Sequence, residues 1–348
     1  MRTVLILGIN GLIGHHLATR ILETTNWHVY GMDVQRDRVE GLLSHKRFHF
    51  FEGNITINRE WIEYHVSKCD VVLPLVAITT PAVFAREPLR VFELDFEANL
   101  RIVRQCVEHR KRVIFPSASE VYGLSSDSSS DPTSSNLVYG PINKQRWIYA
   151  CSKQLMDRVI WAYGFERGLQ FTIFRPFNLI GSGLDSLDAS KEGTSRVLTQ
   201  FLGHIMRGED IRLVDGGHQK RSFTHIDDAV DALMIIIQNN GNIANGKIYN
   251  IGNPGNNVSV RELAERMLGI AKRMPEYSKN AHRVRLVETT SAAFYGTGYQ
   301  NVMQRVPDIQ NITAELGWRP RIGIDEALEQ VFEAYRGRID EARRQFAE

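Results

Sequence analysis

The segment Val4-Leu-Ile-Leu-Gly8-Ile-Asn-Gly11-Leu-Ile-Gly14 joins a short apolar run to a turn that contains three glycines. Residues 4–7 are typical of a buried parallel strand, and the spacing of apolar residues from 11 to about 23 indicates a helix. Because glycine permits a tight turn and a close approach to the backbone, this turn suits a pyrophosphate at the helix N-terminus. The segment therefore predicts the first β-turn-α unit of a dinucleotide-binding fold.

Strand and helix patterns alternate along the first half of the chain. Strands that alternate with helices imply a parallel sheet with helices on both faces. The fold class that we predict is α/β, a Rossmann-type doubly wound parallel sheet. The predicted strands are residues 4–7, 27–32, 47–51, 70–75, 112–116 and 170–175, and the predicted helices are 11–23, 61–66, 94–109 and 149–163.

After about residue 180 the elements become shorter and polar loops separate them. Helical patterns cover 194–207 and 260–273, and strand patterns cover 211–214, 223–225 and 247–251. Residues 275–283 and much of 289–306 have an irregular pattern. We predict a dinucleotide-binding domain over 1–180 with strands returned from about 220–250, a smaller substrate-binding lobe over 181–330, and a C-terminal helix and tail over 331–348.

Composition excludes several classes of protein. The chain has 348 residues with a formal net charge of +2, which gives no general attraction to nucleic acid. Its three cysteines form no Cys-x-x-Cys pair and its eleven histidines are scattered, which argues against a disulfide scaffold and a zinc site. With no signal peptide and no apolar run of membrane-spanning length, we expect a cytoplasmic protein without metal, nucleic acid or membrane partners.

Asp33 favours NAD as the cofactor. It ends the second predicted strand, where a carboxylate meets the ribose hydroxyls of the adenosine and repels a 2′-phosphate. Arg36 and Arg38 leave NADP open, because nearby arginines bind that phosphate. The predicted cofactor-binding residues are Gly8, Asn10, Gly11, Leu12, Ile13, Gly14, Asp33, Asn54, Ile55, Tyr149 and Lys153. Of these, Asn54 and Ile55 follow the third predicted strand, where they are placed to contact the adenine.

Tyr149 and Lys153 lie four residues apart on a predicted helix and so share one face. A nearby ammonium and an oxidised nicotinamide both favour the phenolate, which makes the tyrosine a base for a sugar hydroxyl. The segment Ser117-Ala-Ser-Glu-Val-Tyr-Gly123 precedes them, with a Ser-rich stretch at 125–135 that we expect to form an active-site loop. This order of motifs predicts a nicotinamide-dependent oxidation.

Three longer motifs resemble those of the UDP-glucuronate decarboxylases in the extended short-chain dehydrogenase/reductase superfamily. They are Phe115-Pro-Ser-Ala-Ser-Glu-Val-Tyr-Gly123, Asn143-Lys-Gln-Arg-Trp-Ile-Tyr-Ala-Cys-Ser-Lys153 and Phe174-Arg-Pro-Phe-Asn178. The resemblance covers about residues 1–330 and is greatest to the polymyxin-resistance decarboxylases. It does not include the formyltransferase domain that accompanies them in bifunctional enzymes.

The resemblance implies particular site residues. Its catalytic set is Ser119, Glu120, Tyr149, Lys153 and Arg305, with Glu120 as an acid/base and Arg305 as a carboxylate ligand or proton donor. Its substrate contacts are Thr79, Phe84, Ala118, Ser119, Arg146, Asn178, Arg196, Arg212, Lys220, Arg221 and Tyr299. The chain departs from the family pattern at three positions, where Thr79 replaces alanine, Phe84 replaces tyrosine and Asn54 replaces aspartate.

The activity that the resemblance implies is NAD-dependent oxidative decarboxylation of UDP-glucuronate to UDP-4-keto-pentose, CO2 and NADH, toward aminoarabinose modification of lipid A. A UDP-xylose synthase that returns the hydride is an alternative. A UDP-sugar 4-epimerase or dehydratase, and a dinucleotide-binding protein without turnover, are further alternatives. Relatives pair through the helix that carries Tyr149, so we expect a homodimer, although Leu155, Val159 and Ile160 on that helix suit a core equally well.

Overall fold

The computed structural model describes residues 2–185, 187, 195–295 and 300–338. A central sheet of seven parallel strands has the order β11-β6-β5-β4-β1-β2-β3, which reverses direction next to β1 as in a doubly wound fold. The prediction of an α/β Rossmann-type sheet is therefore confirmed. The strands are β1 Thr3–Leu7, β2 His28–Asp33, β3 Phe48–Glu52, β4 Val71–Pro74, β5 Arg112–Pro116, β6 Phe171–Pro176, β7 Leu179–Ile180, β8 Ile211–Val214, β9 Lys220–Ser222, β10 Thr224–His225, β11 Lys247–Ile251, β12 Asn257–Ser259 and β13 Leu286–Thr289.

The helices cover both faces of the sheet and occupy much of the chain after residue 180. They are α1 Leu12–Thr24, α2 Arg59–Lys68, α3 Pro81–Arg86, α4 Pro88–Phe92, α5 Asn99–Glu108, α6 Trp147–Arg167, α7 Val197–Arg207, α8 Ile226–Gln238, α9 Val260–Arg273, α10 Pro275–Ala281, α11 Ser291–Tyr295, α12 Gln310–Leu316 and α13 Ile324–Tyr335. A π-helical turn, Glu93–Ala98, links α4 to α5, and a 3-10 turn, Ser119–Tyr122, follows β5.

The position of β1 inside the sheet explains why residues 4–7 are all apolar. Val4 and Ile6 pack into the core on the face covered by α1 and α8, while Leu5 and Leu7 pack into the core on the face covered by α2, α5 and α6. From Val4 to Leu7 both sides of the strand are buried, so neither side carries a polar residue there.

One prediction about the second half needs correction. Of the strands expected to return from about 220–250, β11 joins the central sheet beside β6, but β9 and β10 do not. Instead β9 pairs with β12 and β10 pairs with β7, in two-stranded sheets at the junction with the second lobe. The predicted domain boundaries themselves stay predictions.

Two local predictions were wrong for identifiable reasons. Residues 275–283 were expected to be irregular, but α10 begins with Pro275 in its first turn and buries Tyr277 and Ala281. Proline is well suited to a first turn because the amide that it lacks has no helical partner there. Residues 94–109 were expected to form one α-helix, but the π-helical turn occupies their first part and turns Asp95 into the interior.

The described part of the chain contains neither a helix able to cross a bilayer nor a group of metal-ligating side chains. Among its helices in the described ranges, none combines the length and apolar character needed to span a bilayer. In the same ranges no three His, Cys, Asp or Glu side chains come together as metal ligands. Cys69, Cys106 and Cys151 are free thiols, the first two buried.

Candidate active site

A pocket at the carboxyl ends of β1, β4, β5 and β6 contains most of the predicted cofactor residues. Parallel α/β sheets bind ligands in this position. We call it the cofactor pocket, and it is lined by Gly8, Gly11, Leu12, Ile13, Gly14, Arg38, Leu75, Ala77, Thr79, Phe84, Pro116, Ser117, Ala118, Ser119, Glu120, Tyr149, Lys153, Pro176, Asn178, Leu179, Leu184 and Arg196.

The glycine-rich turn fits a dinucleotide pyrophosphate. Gly8 has a φ of +87°, and a Cβ at Gly14 would lie 2.6 Å from the carbonyl oxygen of Gly8, so the backbone packs too closely for larger residues. Gly11 is the N-cap of α1, and having no side chain it makes no capping hydrogen bond to the first amides of the helix. Amides at an uncovered helix N-terminus bind phosphate, and these residues therefore suit the group.

Asp33 lies at the end of β2 beside this turn. Its Oδ2 accepts a hydrogen bond of 2.8 Å from the amide of Asn10, and its Oδ1 accepts one of 2.8 Å from the amide of Val34. Burial raises the pKa of Asp33, and the amide donors act in the opposite direction. Arg38 donates from Nη1 to the carbonyl oxygen of Asn10 at 3.4 Å and lines the cofactor pocket, so a cation lies near the carboxylate.

Asn54 and Ile55, predicted to contact adenine, are not part of the pocket wall. The Oδ1 of Asn54 accepts from the amide and the hydroxyl of Thr56, both at 2.9 Å, which forms a local turn. Ile55 is 7% exposed and packs in the core between β1 and α2. A contact from either residue to adenine stays a prediction.

Tyr149 and Lys153 lie one turn apart on α6 and are both buried. Lys153 Nζ donates to the carbonyl oxygen of Pro116 at 3.1 Å and lies 3.3 Å from Oδ1 of Asp95. The same ammonium lies 5.9 Å from the ring centre of Tyr149. The lysine is therefore held between β5 and the π-helical turn, close to the tyrosine ring.

The surroundings of Tyr149 keep its phenol protonated at neutral pH. Burial, followed by the negative charges of Asp95 and Glu120, raises the pKa of Tyr149 well above its usual range, while Arg196 and Arg305 act in the opposite direction. Phe84 stacks on the tyrosine ring with centroids 4.5 Å apart and planes inclined by 5°. The ring is therefore fixed in orientation, and it becomes a base when further positive charge approaches it.

Glu120 forms ion pairs with two arginines that come from distant parts of the chain. Its Oε2 lies 2.6 Å from Nη2 of Arg146, and its Oε1 lies 2.7 Å from Nη2 of Arg305. Burial alone would raise the pKa of Glu120, but the charges of Arg305 and Arg146 outweigh burial and bring the pKa to about 2. Glu120 is therefore an ionised carboxylate at neutral pH, which fits the base half of its predicted acid/base role.

Arg305 also reaches the serine of the predicted catalytic set. Its Nη1 donates to Oγ of Ser119 at 3.3 Å, and its side chain is 5% exposed. Its buried Nε has no hydrogen-bond partner among the described residues. An unsatisfied buried N–H is costly, so the guanidinium is suited to accept a further anionic group.

A second pocket opens beside the first, and residues of both the predicted dinucleotide-binding domain and the predicted second lobe line it. We call it the inter-lobe pocket. It includes five of the predicted substrate contacts, Arg146, Asn178, Arg196, Arg212 and Arg221. Asn178 and Arg196 line both pockets, so the two spaces are continuous. The apolar part of the wall comprises Ala82, Leu179, Ile180, Leu184, Val197, Leu198, Phe201, Val214, Phe223, Val260 and Phe294.

The remaining predicted substrate residues are placed less uniformly. Thr79, Phe84 and Ala118 line the cofactor pocket. Lys220 is exposed on β9 and is in neither pocket wall, so its predicted contact has no support from its position. Tyr299 lies outside the described residues.

Some polar residues at the site were missed by the sequence reasoning. Asp95, which pairs with Lys153, lies in a segment that was predicted to be a regular helix. The presence of an acid on the apolar face of that helix could have indicated its role. Asp157 lies one turn beyond Lys153 and pairs with Arg175 at 2.9 Å. Arg175 stands within the quoted Phe174-Arg-Pro motif, but no part in the site was assigned to it.

The glycine-rich turn lies at the carboxyl end of β1, and the buried Tyr149–Lys153 pair lies in the same pocket. Together they define a Rossmann-fold protein with a dinucleotide site. The chain belongs to the NAD dependent epimerase/dehydratase family, whose model matches residues 4–252. The prediction of NAD as the cofactor is thereby confirmed, as is the wider prediction of an NAD-dependent enzyme class.

Solved structures agree with this assignment. The chain is 63% identical to the PbgP3 protein from Burkholderia pseudomallei, with 98% of each chain covered and a TM-score of 0.90. It shares its fold with UDP-glucose 4-epimerase from Thermotoga maritima, at 20% identity, 96% and 99% coverage and a TM-score of 0.79. The fold is also that of UDP-glucuronic acid 4-epimerase from Bacillus cereus, at 19% identity, 99% and 100% coverage and a TM-score of 0.78.

Proposed function

We propose that the chain catalyses NAD-dependent decarboxylation of UDP-glucuronate, with UDP-4-keto-pentose, CO2 and NADH as products. The observation that carries the proposal is the position of Arg305. A guanidinium with an unpartnered N–H lies against Ser119 and Glu120, two residues that line the cofactor pocket together with Tyr149. Guanidinium groups bind carboxylates with matching geometry, and the C5 carboxylate distinguishes a uronic acid from other hexoses.

The first step requires a base and an oxidant at C4 of the sugar. NAD held by the glycine-rich turn would supply the hydride acceptor and the positive charge of its nicotinamide. Tyr149 takes the proton of the C4 hydroxyl, because that charge and Lys153 together favour its phenolate. Ser119 shares the wall of the cofactor pocket with Tyr149 and orients the same hydroxyl. The product of this step is a ketone at C4.

The second step releases CO2. A ketone β to the carboxylate accepts the electrons of the breaking C5–carboxylate bond as an enolate, which then takes up a proton to give the 4-keto-pentose. Arg305 holds the carboxylate until it leaves, and the arginine charges stabilise the enolate. Glu120 keeps Arg305 and Arg146 in place through its two ion pairs.

The nucleotide half of the substrate has a matching site. The inter-lobe pocket contains Arg196, Arg212 and Arg221 for the diphosphate, and apolar side chains such as Phe201 and Phe223 for the base. Arg221 is oriented by hydrogen bonds to the carbonyl oxygens of Lys220, at 2.7 Å, and Val302, at 2.8 Å. This arrangement supports a nucleoside diphosphate sugar as the substrate class.

Incubation with UDP-glucuronate and NAD tests the proposal. We expect CO2 release, a rise in absorbance at the NADH wavelength and a product that has lost the mass of CO2. Loss of CO2 without net NADH would instead identify a UDP-xylose synthase. Formation of UDP-galacturonate with no CO2 would identify a 4-epimerase and contradict the proposal, as would nucleotide binding without turnover.

The variant Arg305→Ala separates these chemistries further. It removes the carboxylate ligand while Tyr149, Lys153 and the glycine-rich turn stay in place. We expect CO2 release to fall by about 10²-fold or more, since removing one such electrostatic group typically has this effect. Arg336→Ala is the matched control, because Arg336 is 46% exposed and pairs only with surface carboxylates among its described ion pairs. An R305A enzyme with full CO2 release would contradict this assignment.

We also propose a place for the reaction in the cell and an oligomeric state. The motif resemblance to the decarboxylase domain of the polymyxin-resistance protein ArnA supports a cytoplasmic step toward aminoarabinose-modified lipid A.

On α6, Ile160 belongs to the core, whereas Leu155, Trp161 and Phe165 are 44%, 53% and 89% exposed. An exposed apolar helix face supports a homodimer. Light scattering should give twice the chain mass, and a monomeric mass would contradict it.

A further inference from the structure

Arg305 belongs to a segment without regular secondary structure, residues 300–309, so other parts of the chain must hold it in place. The amide of Ser130 donates to the carbonyl oxygen of Val306 at 2.7 Å, and the amide of Asp308 donates to the carbonyl oxygen of Ser130 at 2.9 Å. Oγ of Ser222 donates to the carbonyl oxygen of Arg305 itself at 3.3 Å. The segment is thus held at Arg305 by Ser222 and beyond it by Ser130, while before it the amide of Lys220 donates to the carbonyl oxygen of Met303 at 2.8 Å. Ser130 is the anchor on the C-terminal side of Arg305.

A single buried side chain joins this anchor to the turn that carries Glu120. Asn250, on β11, is fully buried. Its Nδ2 donates to the carbonyl oxygens of Ser130, at 2.7 Å, and Asp308, at 2.9 Å. Its Oδ1 accepts from the hydroxyl of Tyr122 at 2.7 Å. Tyr122 and Glu120 lie on the same 3-10 turn, so Asn250 bridges the segments that carry the two partners of the Glu120–Arg305 ion pair.

The hydrogen bond between Tyr122 and Asn250 belongs to a larger buried polar network beneath the site. We call the contacts of Asn250 to Tyr122, Ser130 and Asp308 the bridge. The hydroxyl of Tyr122 also accepts from Nη1 of Arg175 at 3.1 Å. Arg175 pairs with Asp157 at 2.9 Å, and Oγ of Ser117 donates to the same carboxylate at 2.8 Å. These groups are all buried, so each hydrogen bond is costly to break. The side of the bridge next to Glu120 is therefore fixed to β5, β6 and α6.

We propose that Asn250 is a positioning residue that holds Arg305 opposite Glu120 and Ser119. The proposal rests on the proposed function in so far as Arg305 binds the substrate carboxylate. Only an amide side chain supplies two donors to the facing carbonyl oxygens and one acceptor to the phenol at this site. An aspartate would face two carbonyl oxygens with acceptors only, and an alanine would remove all three hydrogen bonds.

The substitution Asn250→Ala should loosen the arginine segment while leaving the oxidation machinery in place. In hydrogen exchange followed by mass spectrometry, we expect peptides that cover 302–309 to exchange at least about tenfold faster than in the wild type. Peptides from the glycine-rich turn should be unchanged. Asn256→Ala is the matched control, because Asn256 is also buried but donates to Ile322, away from Arg305.

Single-turnover kinetics give the catalytic readout. A displacement of about 1 Å in a catalytic group costs about 10²-fold, so N250A should release CO2 about 10²-fold more slowly. Formation of enzyme-bound NADH, which depends on Tyr149 and Lys153, should stay within about threefold of the wild type. General destabilisation would lower both rates together, and that result would overturn the proposal. If N250A does not fold, Tyr122→Phe removes one contact of the bridge and should give the same split with a smaller loss, of about tenfold.

The two readouts separate this proposal from the proposed function. A wild-type enzyme that releases no CO2 from UDP-glucuronate overturns the proposed function, and the catalytic consequence of Asn250 is overturned with it. The exchange measurement does not depend on substrate. Unchanged exchange at 302–309 in both N250A and Y122F would overturn the positioning of Arg305 by Asn250, whatever reaction the wild type catalyses.

Discussion

Replacing Glu120 with glutamine removes a carboxylate that two buried guanidinium groups hold ionised. Burial acts to raise its pKa, but Arg305 and Arg146 outweigh burial and lower the pKa from 4.5 to about 2. One pKa unit is equivalent to about 1.4 kcal/mol, so the depressed pKa corresponds to about 3 kcal/mol of stability at neutral pH. Removing one partner of a buried ion pair typically costs about 3–5 kcal/mol. We therefore expect E120Q to be about 3 kcal/mol less stable than the wild type at pH 7.

The pH dependence of this difference tests its electrostatic origin. Because the pKa is lower in the folded state, the stabilisation is complete above the unfolded pKa of 4.5 and is lost as the pH falls toward about 2. The free-energy difference between wild type and E120Q should be constant from about pH 7 to 5.5 and smaller by about 1.4 kcal/mol at about pH 3.5. Urea unfolding followed by circular dichroism at these pH values measures it.

Activity should change with stability in the same variant. We expect E120Q to release CO2 about 10²-fold more slowly, because Arg305 loses the partner that positions it and a displacement of about 1 Å in such a group has this effect. NAD affinity should stay within about threefold, because the glycine-rich turn is untouched. Glu329→Gln is the matched control: Glu329 is 57% exposed and lies 3.4 Å from Arg273, so it should cost less than about 1 kcal/mol. An E120Q protein as stable and as active as the wild type would refute the reasoning.

Three further substitutions test other parts of the site. Asp95→Asn removes a negative charge that raises the pKa of Tyr149, so the acidic limb of the kcat/KM profile should move to lower pH; a move to higher pH would contradict the charge assignment. Phe84→Tyr restores the hydroxyl that the resembled family has at this position, and the KM for UDP-glucuronate should fall; an unchanged KM would mean that the hydroxyl does not reach the substrate. Asp33→Asn removes the repulsion of a 2′-phosphate while Arg38 stays in the pocket wall, so titration should show NADP binding about tenfold more tightly, and unchanged NADP binding would contradict this.

The sheet and the glycine-rich turn could be predicted because their signals are local. Four apolar residues before Gly8, and the helical spacing after Gly11, are sufficient to indicate a strand, a turn and a helix. Tyr149 and Lys153 are likewise one helical turn apart. In each case neighbours in sequence are neighbours in space, so the pattern carries the geometry.

Arg305 could not be found in this way. It lies 186 residues from Ser119, and no periodicity connects an irregular segment to a 3-10 turn after β5. Only the motif resemblance indicated it. Asp95 was missed for a different reason, because a π-helical turn shifts side-chain directions relative to the α-helix that the sequence suggested. Tertiary contacts and rare backbone geometry are the parts of this site that local patterns do not encode.

The charges at the site limit which residues can move a proton during loss of CO2. Arginine stays protonated in proteins, so Arg305 binds the carboxylate rather than donating a proton. Glu120, with a pKa of about 2, has no proton to give near neutrality. The proton that reaches C5 must therefore come from Tyr149, protonated in the preceding oxidation, or from solvent. It follows that the CO2-releasing step, measured in single turnover after the ketone has formed, should show no titration of Glu120 between about pH 6 and 9. A limb in that range that E120Q abolishes would contradict the assignment of Glu120 as a permanently ionised partner of the two arginines.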